Sequence, residues 1–319
     1  MITGHITGAD LDAHRVELTG YCYRMLGSPF DAEDAVQETM LRAWRAAGRF
    51  DERRATLRTW LYSIATNVCL DVLRAAGRRA LAADLAPAAV PGSGFGAPLP
   101  ESAFVSPIPD AGVLPAADPA ELAVRRETIR LAFVAALQVL PPKQRAVLIL
   151  RDVLAWSAAE VATLLDSTVP AVNSALQRAR AALPSVPHQR QPAGQLDQQL
   201  LDRYVHAFTN HDVDTLVSLL HEDATMSMPP FSWWLSGRDA IAATMRASDA
   251  CRGDVLIQVR ANGGPAFGQY RDGRPFALLL LTGGPLITSS VAFLGRADLF
   301  PLFDLPAGAV ASAAPRQRR

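Results

Sequence analysis

A run dominated by alanine, proline and glycine breaks the chain between residues 77 and 120, and its centre, APAAVPGSGFGAPLPES, offers neither a helical repeat nor a strand alternation. The break divides the 319 residues into pieces that must each bury their own apolar face, since a chain of this length exceeds what one core usually serves. Residues 10–76 before it and 121–183 after it are helical in pattern, and 184–194 form a second, shorter linker. Over 195–306 two helical segments give way to short apolar runs with turn signals at Asn262-Gly263-Gly264, Asp272-Gly273 and Gly283-Gly284. Residues 307–319 form a tail. The pattern predicts a multidomain chain: two all-α units, the second a helix-turn-helix, then an α+β unit.

Thirty-one basic residues balance thirty-one acidic ones, which for the chain as a whole gives no electrostatic footprint for nucleic acid. The local distribution differs. Residues 41–79 carry nine arginines against Asp51, Glu52 and Asp71, whereas residues 28–40 carry Asp31, Glu33, Asp34 and Glu38 and no basic residue. An acidic patch followed by a basic one points to two partners. Lys143 is the single lysine, a bias of genome composition to which no function attaches. Cys22, Cys69 and Cys251 lack the paired spacing of a zinc site and read as small buried residues of a reducing compartment. No charged segment with a following apolar run and cleavage site opens the chain, and no window reaches transmembrane length, so a cytoplasmic protein without membrane contact is expected.

Ser28-Pro29-Phe30-Asp31 has the form of a helix start, with Ser as cap and Pro at the first helical position. Val36, Met40, Ala43, Trp44 and Ala47 follow at helical spacing as a buried stripe, leaving Asp34, Gln37, Glu38 and Arg42 outside. From Trp60 to Arg79, Leu61, Ile64, Ala65, Val68 and Val72 share one face, and Ser63, Asn67, Asp71, Arg74 and Arg78 share another. Asn can read a base edge and Arg can neutralise phosphate, so this polar stripe can lie along nucleic acid. A solvated surface helix is the bland alternative.

The segments DAEDAVQETMLRAWRAAGRF and LRTWLYSIATNVCLDVLR closely resemble the signatures of domain two in extracytoplasmic-function (ECF) sigma factors. By that resemblance Asp34, Gln37, Glu38 and Leu41 meet the coiled coil of the polymerase β′ subunit. The unstacked non-template strand of the −10 element would be held by Arg53, Arg54, Arg58, Thr59, Trp60, Ser63, Asn67, Arg74 and Arg78. Pocket contacts to an extruded base offset a few kcal/mol of lost stacking, which is how a protein melts DNA without fuel.

In LPPKQRAVLILRDVLAWSAAEVATLLDSTVPAVNSALQRARAAL, Ser157 can cap a helix running to Leu165, Asp166-Ser167-Thr168 turns, and Thr168 caps the next helix with Pro170 in its first turn. Val169, Val172, Leu176 and Ala179 are expected inside, with Pro170, Asn173, Ser174, Gln177 and Arg178 outside, a face that can read a major groove. The wording resembles sigma domain four, whose recognition helix reads the −35 element. Ala175 stands where many relatives have Arg, which shifts the expected phosphate contacts to Arg178 and Arg180. The implied partners are core RNA polymerase, through β′ and the β subunit, and promoter DNA.

Phe104-Val105-Ser106-Pro107-Ile108-Pro109-Asp110 resembles the Trp-Leu-x-Pro-x-Pro-Asp motif of the sigma-G-like branch, with Phe104 in place of Trp; a disordered tether is the alternative. Residues from 196 onward, opening with LLDRYVHAFTNHDVDTLVSLLHEDATMSMPP, resemble a SnoaL-like domain, a cone of helices against a curved antiparallel sheet. Strands are expected at 255–261, 266–270, 276–281 and 287–293. The resemblance implies a small-molecule pocket lined by Met226, Met228, Phe231, Trp233, Trp234, Phe267 and Tyr270, residues that as aromatics on a sheet also read as plain core. Some proteins of that fold are enzymes, but spacing assembles no nucleophile, base and orienter from His206, His211, His221, Asp212, Asp214 and Asp223. A SnoaL-like isomerase or hydrolase joined to DNA-binding helices is thus the second reading, behind a promoter-specificity subunit that is no enzyme and needs no metal or organic cofactor.

Overall fold

The computed structural model describes residues 6–75, 77–114, 119–183, 196–249 and 251–309. It divides into two compact units, Met1–Ala80 with Val105–Pro187, and Leu81–Phe104 with His188–Arg319. The shorter linker expected at 184–194 lies outside the described residues.

In the first unit α1 (Gly8–Asp12) leads into α2 (Arg15–Leu26), which is buried from Leu18 to Leu26 and ends on Gly27 at φ 72°, the left-handed conformation that glycine adopts without cost. α3 (Pro29–Ala46) starts as its sequence dictates, with the Ser28 hydroxyl accepting from the Asp31 N–H at 3.2 Å. Ala32, Ala35, Val36, Thr39 and Ala43 face the core. Trp44 does not: it is 57% exposed, against the expectation of a buried stripe, because the small residues of α3 set the packing face one position aside from it. A turn and loop follow, then α4 (Leu57–Ala75).

Beyond residue 104 the chain docks onto this unit, so the segment is no free tether. Val105, Ser106, Ile108 and Val113 are buried. The Tyr23 hydroxyl donates to the Ser106 carbonyl at 2.9 Å, and the Ser106 N–H donates to the Gly27 carbonyl at 2.9 Å. α6 (Pro119–Glu127), α7 (Leu131–Leu137), α8 (Pro142–Leu148, running into a π turn at Ile149–Val153), α9 (Ala158–Leu164) and α10 (Val169–Ala182) complete the unit. A reciprocal capping box opens α9: Glu160 N–H to Ser157 Oγ at 3.2 Å, Ser157 N–H to Glu160 Oε2 at 2.7 Å. Thr168 Oγ1 caps α10 by accepting from the Ala171 N–H. Val172, Leu176 and Ala179 face inward, but Val169, expected with them, is exposed in the first turn.

Two buried arginines join α2 to the later helices. Arg24 donates to the Thr128 hydroxyl at 2.7 Å and to the Gly20 carbonyl at 2.7 Å; Arg145 donates to the carbonyls of Met25, Gln138 and Leu140 and to Gln138 Oε1. Burial brings each guanidinium down to about 10.

In the second unit α11 (Gln198–Asn210) is capped by Asp197 and ends on His211 in the left-handed region, and Asp212 caps α12 (Val213–Ser218). A six-stranded sheet follows in the order β2-β1-β6-β5-β4-β3, with β1 Leu220–Ser227, β2 Trp234–Ser236, β3 Val255–Ala261, β4 Gly264–Arg271, β5 Arg274–Gly283 and β6 Ile287–Leu294. Helix α13 (Arg238–Arg246) connects β2 to β3. The sheet is mixed rather than wholly antiparallel as expected, since β6 closes beside β1 in the same direction. Leu200, Leu201, Tyr204, Phe208, Ile241 and Phe267 pack between helices and sheet.

Residues 81–104, expected to hold no helix and no packed structure, belong with this unit. They contain a one-turn helix, α5 (Ala82–Leu85), and then lie against the β2 edge. The Ala89 N–H donates to the Trp234 carbonyl at 2.7 Å, the Trp234 indole to the Ala86 carbonyl at 2.8 Å, and the Leu99 N–H to the Pro230 carbonyl at 2.8 Å. Beyond α5 the prolines and glycines leave the segment without regular structure of its own, and its backbone groups bond to the second unit instead.

Candidate polymerase and nucleic-acid interfaces

On α3 the small core residues turn a continuous outer face away from the unit. Asp34, Gln37, Leu41 and Trp44 recur at helical spacing along it, with Glu38 beside them. Gln37 donates to Glu33 at 3.2 Å, and Arg42 donates to Glu38 at 2.6 Å. Leu41 and Trp44 are both large, apolar and exposed, one turn apart on the acidic face. Trp44 escaped the sequence reading because an apolar residue in register with a core stripe reads as core, although its spacing from Leu41 already placed it on the acidic face.

The residues expected at the −10 strand divide into two groups. Arg53, Arg54, Asn67, Arg74 and Arg78 are exposed. Among these, Arg53 is held by Asp51 at 3.0 Å and Arg74 by Asp71 at 2.5 Å, pairs whose exposure makes them weak and exchangeable. The others are half-buried and engaged. Trp60 packs on Phe50 with ring centroids 5.0 Å apart, and the Thr59 hydroxyl bonds that of Thr56. Ser63 donates to the Leu164 carbonyl, and Arg58 donates to Glu17 at 2.9 Å. Burial opposes the Arg58 charge, but Tyr62 and Glu17 outweigh it and raise its pKa.

On α10 the outer residues Pro170, Asn173, Ser174, Gln177, Arg178 and Arg180 are exposed together. Arg180 makes a two-pronged pair with Asp152, at 2.9 and 2.7 Å, and is thereby tied to the π turn after α8. Asn173, Ser174, Gln177 and Arg178 present an exposed polar row along the helix.

In the second unit Met226, Trp233 and Phe267 are part of the core, while Met228 and Phe231 are half-buried against it. Phe95 stacks on Phe231 at 5.3 Å and meets the edge of Trp233 at 5.1 Å; Trp233 Nε1 is buried without a hydrogen-bond partner among the described residues. Trp234 is tied to Ala86. Tyr270 stands apart, packed edge-on against Phe300 and donating to the Pro306 carbonyl at 2.8 Å. The titratable residues are structural: Asp212 caps α12, Asp214 pairs with Arg246 at 2.8 Å, His206 lies beside Asn210, and His221 Nδ1 accepts from the Asp223 N–H. Among the described residues no cluster of His, Cys, Asp and Glu could hold a metal, and no helix is long and apolar enough to cross a membrane.

A helical unit with an acidic α3 face, an arginine-rich α4 and a capped helix-turn-helix, followed by an α+β unit, is the make-up of a DNA-directed transcription protein. Residues 11–79 match the family model for sigma-70 region 2, residues 130–183 that for sigma-70 region 4, and residues 201–272 that for the SnoaL-like domain. The chain is 44% identical over 311 residues to the ECF RNA polymerase sigma factor SigG of Mycobacterium tuberculosis (strain ATCC 25618 / H37Rv), covering 93% of this chain and 83% of that one. It is 32% identical over 225 residues to SigJ of the same strain, covering 69% of this chain and 64% of that one. The fold matches the crystal structure of Mycobacterium tuberculosis SigJ with a TM-score of 0.58 at 22% identity, over 94% of this chain and all of that one. The chain belongs to the ECF RNA polymerase sigma factors, in a form that carries a SnoaL-like domain behind the two sigma regions. It therefore acts with core RNA polymerase in promoter-specific initiation, and its named relatives are sigma factors rather than enzymes.

Proposed function

We propose that three helix faces of the first unit divide the work of initiation and that the second unit regulates it. Asp34, Gln37, Glu38 and Leu41, joined by Trp44, dock on the β′ coiled coil, while region four adds a contact to the β subunit. α4 and the loop before it hold the −10 strand, and the outer face of α10 reads the −35 element. The observation that carries this reading is the division of α10, with Val172, Leu176 and Ala179 buried and Asn173, Ser174, Gln177 and Arg178 exposed as one row. Regulation by the second unit is supported by the segment 81–104, which links the two sigma regions in sequence and yet groups with the SnoaL-like domain. The ligand class its aromatic face suits is a small apolar ring, which would compete with Phe95 for Phe231 and Trp233.

The test is transcription by holoenzyme on promoters that vary in the −35 element. Asn173→Ala and Arg178→Ala should lose use of some −35 sequences and not others, by about 1–3 kcal/mol where a base contact is removed, with core binding retained. Equal losses on every −35 variant would reduce the residue to a phosphate contact.

A further inference from the structure

Trp233 is 6% exposed, and its indole N–H meets no acceptor among the described residues. Buried indoles ordinarily find a partner, because an unpaired donor costs as much as a lost hydrogen bond. Trp234, next in the chain, has one at the Ala86 carbonyl. The turn from β1 to β2 that carries Trp233 is held firmly: the Met228 N–H donates across it to the Trp233 carbonyl at 3.4 Å, and the Leu294 N–H donates to the Pro229 carbonyl at 2.7 Å. Phe95 stacks on Phe231 of this turn with ring centroids 5.3 Å apart, and crosses the Trp233 ring at 77° with centroids 5.1 Å apart. Phe95 is itself 44% exposed, so the way from solvent to Trp233 on this side runs past its ring. It arrives on a strap tied at one end by the Ala89 N–H to the Trp234 carbonyl and at the other by the Leu99 N–H to the Pro230 carbonyl. Between the ties the sequence VPGSGFGAP sets Phe95 between two glycines, with Gly92 and Gly96 at φ 84° and 75°. Such a backbone lets the ring swing outward while both ties hold.

We infer that Phe231 and Trp233 form a binding site for a neutral molecule of one aromatic ring bearing a carbonyl oxygen, and that Phe95 is the occupant the chain itself supplies. The ligand's ring takes the place of Phe95 on Phe231, its oxygen accepts from the Trp233 indole, and Phe95 moves out between its ties. The inference rests on the reading of this aromatic face as suited to a small apolar ring, and adds to it the acceptor. Phe95 fixes the ring, since it shows what stacks there. The unpaired N–H fixes the oxygen: a phenylalanine side chain fills the stack but offers Trp233 no lone pair, so a ligand that brings one gains a bond that Phe95 never makes. Burial fixes the charge. Trp233 stands in the apolar core of its unit with Met226 and Leu235, where an ion would lie out of water and unpaired. A hydrocarbon of the same shape leaves the donor as Phe95 leaves it, and the site therefore tells the two apart.

Acetophenone and its planar isostere α-methylstyrene differ in that one oxygen and serve as probes on the full chain. Proton–nitrogen spectra follow the indole N–H groups of the five tryptophans, with that of Trp233 identified by its loss in Trp233→Phe. Acetophenone should shift this resonance downfield and bind about tenfold more tightly than α-methylstyrene, which should not shift it downfield. Trp233→Phe should bring the ratio of affinities to about one. Phe95→Ala should tighten both probes about tenfold, as expected if the ring stands aside in roughly a tenth of the parent. Equal affinity of the parent for the two probes, or an indole resonance that acetophenone leaves in place, overturns the site. Binding to Phe95→Ala with none to the parent overturns it as well, since the truncation would then have made the site. If Trp233→Phe does not fold, contacts from the acetophenone methyl group identify the resonance, and the parent's own shift and affinity ratio decide. Acetophenone that binds as stated while holoenzyme transcription stays unchanged ends the regulatory reading of the second unit and keeps the site. Both probes bound alike keeps the apolar-ring reading and ends this one.

Discussion

Val105 donates its backbone N–H to the carbonyl of Ala80 at 3.1 Å, so the segment between the two sigma regions leaves the first unit and rejoins it at one point. Residues 82–103 therefore bridge no gap within that unit. Replacing them with a short Gly/Ser turn should leave −35 duplex binding unchanged and lower the melting transition of the second unit. That unit would lose the bonds made by Ala89, Leu99 and the Trp234 indole, at about 1 kcal/mol each. Loss of −35 binding in this variant would show that the first unit depends on the segment.

Deleting residues 195–319 is expected to raise transcription, since a fused regulatory domain can take the place of a separate inhibitor. The same deletion strips the segment 86–99 of its partners, so removing that segment as well should add no further change. Run-off transcription on several promoters measures both. Output and core affinity that match the full chain throughout would remove the regulatory role.

Asn67 is exposed on α4, one turn beyond Ser63. Asn67→Ala holoenzyme should form open complexes poorly on duplex promoters and recover on a template with a pre-melted −10 bubble, if the side chain assists opening. Permanganate footprinting distinguishes the outcomes: failure of rescue puts Asn67 in capture of the strand, and normal opening on both templates takes it out of the site.

Ser157→Ala removes the cap of α9 and should destabilise the first unit by about 1 kcal/mol. The Ser157 hydroxyl, and after it the Ser157 backbone N–H, hold the Glu160 carboxyl below its ordinary value of 4.5. A carboxylate lowered on folding contributes stability that is complete above its unfolded pKa and is lost as pH falls through the folded one. Denaturant melts of the parent should thus weaken below about pH 4.5 more than those of Glu160→Gln, in which this contribution is absent.

Much of this arrangement was legible in the sequence, for local reasons. Ser28, Ser157 and Thr168 announce helix starts because a cap is a contact over three residues, and Val255–Ala261 reads as a short apolar run stopped by the turn signal at Asn262-Gly263-Gly264. What escaped was non-local. The β2 strand is too short to show a period, the parallel pairing of β1 with β6 depends on the path between them, and the docking of 81–104 depends on Trp234 and Pro230. The exposure of Trp44 and Val169 has the same origin, since an apolar residue at helical spacing states that a face exists but not which neighbour covers it.

The bond from the Trp234 indole to the Ala86 carbonyl spans 148 positions. A ribosome adding about 5–20 residues per second needs roughly 7–30 s to pass from one to the other, and region four emerges within that interval. Each new molecule thus carries both sigma regions before it carries the residues that grip the segment between them, so during that interval the segment is without its Trp234 partner.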